Sequence, residues 1–287
     1  MGNRRLLLPV KKSVVPQKYF PVFCGTVSEG GHFMNLSNLI SQSDYVDVYE
    51  DNGTAIKLFK TEMPRNKQRA FNEAMIHTSV ESAGLSIPKI HGVYEVPEKE
   101  GAYAIVMDIA KGKSLADLMA ENPEKTDEYL ELFVRTQVDV QSHIVYHIGK
   151  LKDKITRQIN RLDELGEVRR YELLTRLAGM PKHVKLCNNN YCPEHVFVDE
   201  SGNVTVIDWA AARQGNASAD AAKTYLLLSL DHPEMADKYL DIFCKKTNTR
   251  KDYVTGWLPI VAAARLTEKI DREKELLVKW ADVANYE

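Results

Sequence analysis

The residues best suited to bind a ligand or catalyse a reaction lie between Leu186 and Trp209, where a polar loop and an acidic residue are separated by short apolar runs. The runs that end at Val198 and Asp208 are apolar or alternating, which is typical of β-strands, and the Gly-containing segment between them predicts a turn. Asp208 therefore falls where a strand ends. A carboxylate in that position can bind a hard cation, but an acid that caps the following turn would give the same pattern.

The pattern that begins at Asn188 and ends in Ile-Asp-Trp resembles the HGDxxxxN…IDW block of the aminoglycoside phosphotransferase and choline kinase family. Members of that family are small-molecule kinases with a protein-kinase-like fold. In them the Asp of the first motif is catalytic, and the Asn five residues later and the Asp of IDW bind Mg²⁺. The resemblance implies that Asp208 binds the metal ion, and it places Asn190 at the catalytic Asp position. His195 stands at the position of the metal-binding Asn, and Asn188 and Asn189 replace the His and Gly.

The preceding part of the chain contains other residues that a kinase of this type needs, in the expected order. Asn52-Gly53 between two β-rich runs predicts a hairpin, with Lys57 in its second strand. Glu73 lies in a helix predicted over residues 66–82. Taken singly, a Lys in a strand and a Glu in a helix are common surface residues. The resemblance implies that Lys57 contacts the nucleotide phosphates and that Glu73 pairs with this lysine and orients it.

Two further segments are expected to contact the nucleotide. The loop that includes Ser41 and Ser43 takes the position of the phosphate-binding loop of protein kinases, although it contains no glycine. Serine hydroxyls can donate hydrogen bonds to phosphate oxygens in place of backbone N–H groups. The resemblance also implies that backbone groups from Met107 to Ile109 bind the base of ATP or GTP.

Two other binding motifs are incomplete in this sequence. Gly112-Lys113-Ser114 resembles the end of a Walker A loop, but Met107 stands where that motif requires a glycine, so we interpret the segment as a turn before a helix that its serine caps. Cys187, Cys192 and His195 could together bind zinc. A structural zinc site needs a fourth ligand, and none is evident at a supportive spacing.

The composition agrees with an enzyme-sized cytoplasmic protein. At 287 residues, 44% hydrophobic and 27% charged, the chain can bury a substantial core. The net charge of -2 favours neither nucleic acid nor an anionic membrane, and no apolar run is long enough to span a bilayer. Four scattered cysteines do not indicate a secreted disulfide framework, so reduced thiols are expected. The first 18 residues carry Lys and Arg but no acid, which predicts a mobile or edge-strand leader or a weak surface contact.

The order of apolar patterns predicts a β-rich part of the chain followed by a helical part. Together with this order, the resemblance implies an α+β, two-lobed protein-kinase-like fold, with a β-rich nucleotide-binding lobe over residues 1–108 and a larger helical lobe over residues 109–287. Helices are predicted over residues 124–149, 150–165, 171–177, 219–230 and 234–246, and from residue 253 onward. Aromatic residues on these helices are interpreted as core. A role in a substrate pocket is the alternative for Trp257 and Trp280.

The resemblance therefore implies a nucleotide-binding protein that uses Mg²⁺ or Mn²⁺ and transfers a phosphoryl group to a hydroxyl of a small molecule, and the replaced residues predict weakened or altered chemistry. Asn190 can accept a hydrogen bond but cannot serve as a carboxylate base, a loss of about 10²–10⁴ in rate. His195 offers imidazole where Mg²⁺ prefers oxygen. The alternative is an inactive pseudokinase that binds a ligand or partner. Residues 231–287 hold 11 acids and 10 Lys or Arg residues, which argues against a polycationic aminoglycoside as the substrate. Nothing in the sequence specifies an oligomeric state.

Overall fold

The computed structural model describes residues 34–96 and 99–282, so the basic leader and Cys24 lie outside the described residues. The first five strands form one antiparallel sheet in the order β1-β2-β3-β5-β4. These strands are β1 (Asn38–Gln42), β2 (Val46–Asp51), β3 (Thr54–Phe59), β4 (Ile90–Glu95) and β5 (Tyr103–Asp108). The sheet thus ends at the position where we predict the boundary between residues 1–108 and 109–287, and that boundary stays a prediction.

The predicted hairpin between β2 and β3 is confirmed, and it determines the direction of Lys57. Asn52 and Gly53 have φ angles of 50° and 81°, the pair of left-handed residues that a two-residue hairpin turn requires. Ile56 and Leu58 are both buried in an apolar cluster on one face of the sheet. Because side chains alternate along a strand, Lys57 points to the opposite face.

Helix α1 (Asn66–Glu81) packs against the face of the sheet that carries Lys57. The small side chains of Ala70 and Ala74 belong to the cluster that also buries Phe59, so the helix approaches the sheet closely. Glu73 lies on this inner side of the helix and is only 6% exposed. A buried carboxylate needs a cationic or hydrogen-bonding partner, and the only direction open to it is toward the sheet.

The rest of the described chain is mainly helical, with short strands that hold the loops between them. Strand β6 (Lys113–Ser114) pairs with β8 (Val196–Val198), β8 pairs with β9 (Val204–Val206), and β7 (Lys185–Cys187) pairs with β10 (Arg213–Gly215). The helices are α2 (Leu115–Glu121), α3 (Thr126–Ser142), α4 (Leu151–Ile159), α5 (Gly166–Gly179), α6 (Ala217–Asp231), α7 (Pro233–Thr247), α8 (Lys251–Thr255), α9 (Leu258–Leu266) and α10 (Lys274–Trp280). The predicted α+β architecture, with a β-rich and a helical lobe, is confirmed.

Several local predictions are confirmed and others were too long. The Ser114 hydroxyl accepts a hydrogen bond from the Asp117 N–H and so caps α2 as expected. The helix predicted over residues 124–149 ends at Ser142, because the next residue, His143, has an extended backbone (φ -86°, ψ 156°), and left-handed residues follow at His147 and Gly149. The helix predicted over residues 150–165 likewise ends at Ile159 and is followed by a short 3-10 turn. The stretch from residue 253 onward is divided among three helices.

Several aromatic residues of the helical lobe contribute to its core, as interpreted from the sequence, whereas Tyr171, in the helix predicted over residues 171–177, is 72% exposed and departs from that interpretation. Trp257 is fully buried, and Phe133 stacks on Tyr191 with 4.5 Å between ring centroids. Trp280 is partly buried and stacks on Tyr225 at 5.8 Å. In the described part of the chain, no helix is both long and apolar enough to cross a membrane.

Candidate functional site

Three charged residues from distant parts of the sequence meet where the sheet faces the helical lobe. The ammonium Nζ of Lys57 lies 2.6 Å from Glu73 Oε1 and 3.1 Å from Asp208 Oδ1. Lys57 comes from β3, Glu73 from α1, and Asp208 from the turn after β9. The structure therefore brings together the three residues that the resemblance singled out, although it does not test their roles.

The electrostatics of this group keep Lys57 and Asp208 charged. Burial opposes the positive charge of Lys57, but the two carboxylates outweigh it and raise the pKa of the ammonium. Burial also opposes the charge of Asp208, but Lys57, His195 and a hydrogen bond from Asn190 together hold its pKa below the usual value. For Glu73, burial outweighs the attraction of Lys57 and raises the pKa. A fixed ammonium between two carboxylates is suited to bind a phosphate oxygen.

The backbone at Asp208 has an uncommon conformation just after strand β9. Its φ angle is 56°, in the left-handed region that residues other than glycine rarely adopt. The segment is held on both sides, because the Ile207 N–H donates to the His195 carbonyl and the indole N–H of the buried Trp209 donates to the Val206 carbonyl. A strained conformation that its surroundings hold in place is typical of functional sites.

The three consecutive asparagines each make a different contact. Asn188 is fully buried; its amide donates to the Asp208 carbonyl at 3.3 Å, and its side-chain oxygen accepts from the Asn190 N–H at 2.9 Å. Asn189 has a φ angle of 64°, and its N–H donates to Asp220 at 2.8 Å. Asn190 donates from Nδ2 to Asp208 Oδ2 at 2.7 Å. The loop is thereby fixed against both Asp208 and α6.

Asp220 in α6 holds this loop in place through a buried hydrogen bond, and the sequence analysis did not identify it. It is fully buried in α6 and accepts hydrogen bonds from Gln137, Gln141 and the Asn189 N–H. Burial raises its pKa, and these donors oppose that effect. The only signal in the sequence is an acid inside the run Ala-Ser-Ala-Asp-Ala-Ala, which is too apolar to be a solvated helix face.

The amide of Asn190 has a defined orientation. A carboxylate can only accept hydrogen bonds, so the NH₂ group of Asn190 must be the part that faces Asp208. Its Oδ1 accepts no hydrogen bond from any described residue. Asn190 also lines a cavity of about 190 Å³ that lies between the asparagine loop and helices α4, α6 and α9. The amide oxygen of Asn190 is therefore unengaged among the described residues, and the residue itself lies in the wall of that cavity.

His195 also has an inferable tautomer. Its Nδ1 lies 2.9 Å from the Asn190 carbonyl oxygen, and because a carbonyl only accepts, the proton belongs on Nδ1. Nε2 is then the nitrogen with a free lone pair. Cys192 Sγ lies 3.2 Å from the same Nδ1, whereas Cys187 is buried and its thiol donates to backbone carbonyls. The described residues contain no group of three or more His, Cys, Asp or Glu that could hold a metal ion, so they do not support the zinc alternative.

The other residues predicted to contact the nucleotide make hydrogen bonds or strand pairings of their own. Ser43 uses its hydroxyl within the turn between β1 and β2, where it donates to the Val46 carbonyl at 2.9 Å. Ser41 lies in the exposed edge strand β1. Met107 is paired within the sheet, and the Ile109 N–H lies 3.4 Å from the Gly53 carbonyl, a long and weak hydrogen bond. The structure does not test a role of these four residues in nucleotide binding.

The sequence that forms this site matches a known protein family. A family model described as "Phosphotransferase enzyme family" (APH) matches residues 36–253, which include Lys57, Glu73, Asn190 and Asp208. The chain belongs to this family. A search of curated proteins found no significant match.

Several solved structures of family kinases have the same fold. A thermostable mutant of aminoglycoside phosphotransferase APH(4)-Ia, in a ternary complex with ADP and hygromycin B, is 15% identical, with a TM-score of 0.62 over 87% of this chain and 92% of that one. Choline kinase LicA from Streptococcus pneumoniae is 12% identical, with a TM-score of 0.56 over 83% and 85% of the two chains. ADP-bound aminoglycoside phosphotransferase APH(2'')-Ib is 16% identical, with a TM-score of 0.54 over 84% and 90%. At these identities the similarity establishes the fold.

Proposed function

We propose that this member of the phosphotransferase family binds ATP or GTP beside the sheet and transfers the terminal phosphoryl group to a hydroxyl of a small molecule. The observation that carries the proposal is the contact of the Lys57 ammonium with both Glu73 and Asp208. In kinases of this architecture a strand lysine held by a helix glutamate binds the nucleotide phosphates. Structures with this fold have been solved with ADP, AMP-PNP and hygromycin B, which supports a nucleotide and a small-molecule acceptor here.

The remaining nucleotide contacts follow from this placement. Ser41 and Ser43 lie at the edge strand and turn that would cover the phosphates, and the backbone from Met107 to Ile109 would contact the base. The Ile109 N–H is the donor most easily released for this purpose, because its present bond is 3.4 Å long. We propose a cytoplasmic location for the reaction, because ATP and GTP are cytoplasmic substrates and reduced thiols are expected.

Asn190 would orient the acceptor hydroxyl through its free Oδ1. A new bond forms between the acceptor oxygen and the phosphorus atom, the bond from phosphorus to the leaving nucleoside diphosphate oxygen breaks, and the hydroxyl proton leaves late, to solvent. Phosphoryl transfer has a loose transition state, so positioning contributes more than early deprotonation. Without a carboxylate base we expect transfer that is slower by about 10²–10⁴ than with an aspartate at this position.

The metal site of this family is only partly matched by the residues present. Asp208 can act as a single carboxylate ligand, and Mg²⁺ is commonly held by one or two carboxylates together with substrate phosphates. His195 presents an imidazole nitrogen, which Mn²⁺ accepts more readily than Mg²⁺. These residues therefore fit one ion held mainly by the nucleotide, and that ion would neutralise phosphate charge.

One observation favours a second candidate function, that of a catalytically inactive binding module. Asp208 has both carboxylate oxygens engaged, one by Lys57 and one by the Asn190 amide. With an aspartate at position 190 the two carboxylates would repel each other, and a cation would be needed between them. The asparagine removes that need, as is expected of a pseudokinase that binds a ligand or partner without transfer.

A thermal-shift titration distinguishes these candidates. The parent chain and the variant Asp208→Ala are heated with ATP or GTP, each with and without Mg²⁺ or Mn²⁺, because a ligand that binds only the folded state raises the melting temperature. Phosphotransferase function predicts a metal-dependent rise in the parent that Asp208→Ala abolishes. A rise that does not depend on the metal or on Asp208 would contradict the metal role. The absence of any nucleotide-induced rise would favour the binding-module function.

A further inference from the structure

The cavity beside Asn190 has an unusual charge balance. Three cationic side chains line it: Lys154 from α4, Lys223 from α6 and Arg265 from α9. Glu268 is the one acidic side chain in its lining. Its volume of about 190 Å³ is below the roughly 300–1,000 Å³ of sites for drug-sized ligands, so a compact ligand fits it best.

The acids around this cavity are already paired. Arg265 makes two hydrogen bonds to the buried Glu273, at 2.7 and 2.8 Å, and a further ion pair with Glu268. Asp208 is engaged by Lys57 and Asn190, as described above. The negative charge near the cavity is thus used to neutralise other cations.

The two lysines are left with little compensation. Lys223 is only 8% exposed, and its ammonium lies 3.9 Å from Glu268, which is itself paired with Arg265. Lys154 is partly buried and makes no hydrogen bond or ion pair with any described side chain; Arg213 repels it electrostatically, and the more distant attraction of Glu268 and Asp208 does not offset its burial. Burial lowers the pKa of Lys154 to about 8 and that of Lys223 to about 7.

A buried ammonium with no close partner is costly and is usually retained for a function. A cationic ligand would add a third positive charge to a site of low dielectric, where repulsion is strong. A neutral ligand would leave both ammonium groups uncompensated. An anionic ligand would supply the missing partner and form charge-assisted hydrogen bonds with both groups.

We propose that this cavity binds the acceptor, and that the acceptor is a small hydroxyl compound carrying a carboxylate or phosphate that pairs with Lys154 and Lys223. The apolar wall from Leu151 and Val261 would face the carbon skeleton, and Asn190 Oδ1 would accept the reacting hydroxyl. The acceptor role rests on the proposed phosphotransferase function, whereas anion binding in the cavity does not depend on it.

The test compares four compounds of similar size by isothermal titration calorimetry, with the full chain and without nucleotide: glycerol 3-phosphate, glycerate, glycerol and choline. Glycerol 3-phosphate and glycerate distinguish a phosphate from a carboxylate as the recognised anion. We expect one or both to bind at least tenfold more tightly than glycerol and choline. Equal affinity for glycerol and the anions, or preference for choline, would overturn the proposal.

Variants of the two cavity lysines test whether the anion binds in this cavity. Lys223→Met and Lys154→Gln should each weaken anion binding on the order of thirtyfold, the loss expected when one partner of a buried charge pair is removed. Lys245→Met, which removes an exposed lysine on α7 away from the cavity, is the matched control and should bind as the parent does. Unchanged anion affinity in both cavity variants would also overturn the proposal.

The same titrations separate this proposal from the function on which it rests. Asp208→Ala should lose metal-dependent nucleotide binding and keep anion binding. If the parent binds glycerate or glycerol 3-phosphate through Lys223 but no nucleotide, the cavity assignment holds and the phosphotransferase function fails. If nucleotide binds and the four compounds do not differ, the function holds and the anionic cavity fails.

Discussion

The substitution Lys223→Met should stabilise the protein, and more so at neutral than at alkaline pH. The folded state lowers the pKa of Lys223 from 10.5 to about 7, mainly through burial. Because the folded pKa lies below the unfolded value, the unfolded chain binds more protons between these limits, and the free energy of unfolding rises with pH across that window. Below about pH 7 the lysine is charged in both the folded and the unfolded state, and its burial then lowers the free energy of unfolding by the full amount.

The size of the effect follows from the pKa change. One pKa unit corresponds to about 1.4 kcal/mol, so the fall from 10.5 to about 7 is worth roughly 5 kcal/mol in the limit of low pH. Over the accessible range from pH 6.5 to 9.5, linkage gives a change of roughly 3 kcal/mol. Methionine has a similar length and no charge, so the variant should lack this part of the pH dependence and keep the packing of α6.

The assay is urea unfolding of the parent, Lys223→Met and the control Lys245→Met at several pH values from 6.5 to 9.5. We expect the stability advantage of Lys223→Met to be largest at pH 6.5 and to shrink by roughly 3 kcal/mol at pH 9.5. Lys245→Met should match the parent throughout. An advantage of Lys223→Met that is constant across the range, or a loss of stability at pH 6.5, would refute the assignment of Lys223 as an uncompensated buried cation.

Three further predictions concern the site and its supports. Asn190→Asp should make the melting temperature more sensitive to Mg²⁺, because a second carboxylate beside Asp208 needs a cation, and should raise any phosphoryl transfer by about 10²–10⁴; identical Mg²⁺ responses in a thermal scan would contradict this. Asp220→Asn should cost about 1–3 kcal/mol in urea unfolding, because an amide NH₂ would meet the buried donors that Asp220 now satisfies, and unaltered stability would show that this network is not required. His232→Gln should lower stability by up to about 1 kcal/mol at pH 5.5 and by less at pH 9, since the hydrogen bond to Glu194 raises the pKa of His232 and the ionic part of this interaction is lost as pH rises through that pKa; an equal loss at both pH values would disprove the ionic contribution.

Features that depend on local chemistry could be predicted from the sequence. The Asn52-Gly53 turn follows from the left-handed conformation that these residues tolerate, and it fixed the strand and the face that carry Lys57. Helix ends were harder. The helix was predicted to continue to residue 149 because apolar residues such as Ile144 keep helical spacing, but the chain becomes extended at His143 and Ile144 is 45% exposed.

Features that depend on tertiary packing could not be predicted. Asp220 and Lys223 lie one helical turn apart in α6, and nothing in their spacing reveals that one supports the asparagine loop and the other lines a cavity. The contact between Asn190 and Asp208 likewise emerges only when the loop folds. The resemblance correctly indicated the family and identified residues that meet in space, but the charge of the cavity beside Asn190 became visible only in the structure.

Binding of nucleotide phosphates by the Lys57 ammonium can be measured by calorimetric titration of ATP with Mn²⁺ into the parent chain and into Lys57→Met, with Lys245→Met as the control. We predict that ATP binds to the parent and to Lys245→Met with equal affinity, and that Lys57→Met weakens binding on the order of thirtyfold or more. Equal ATP affinity in the parent and Lys57→Met would show that Lys57 does not bind the nucleotide phosphates.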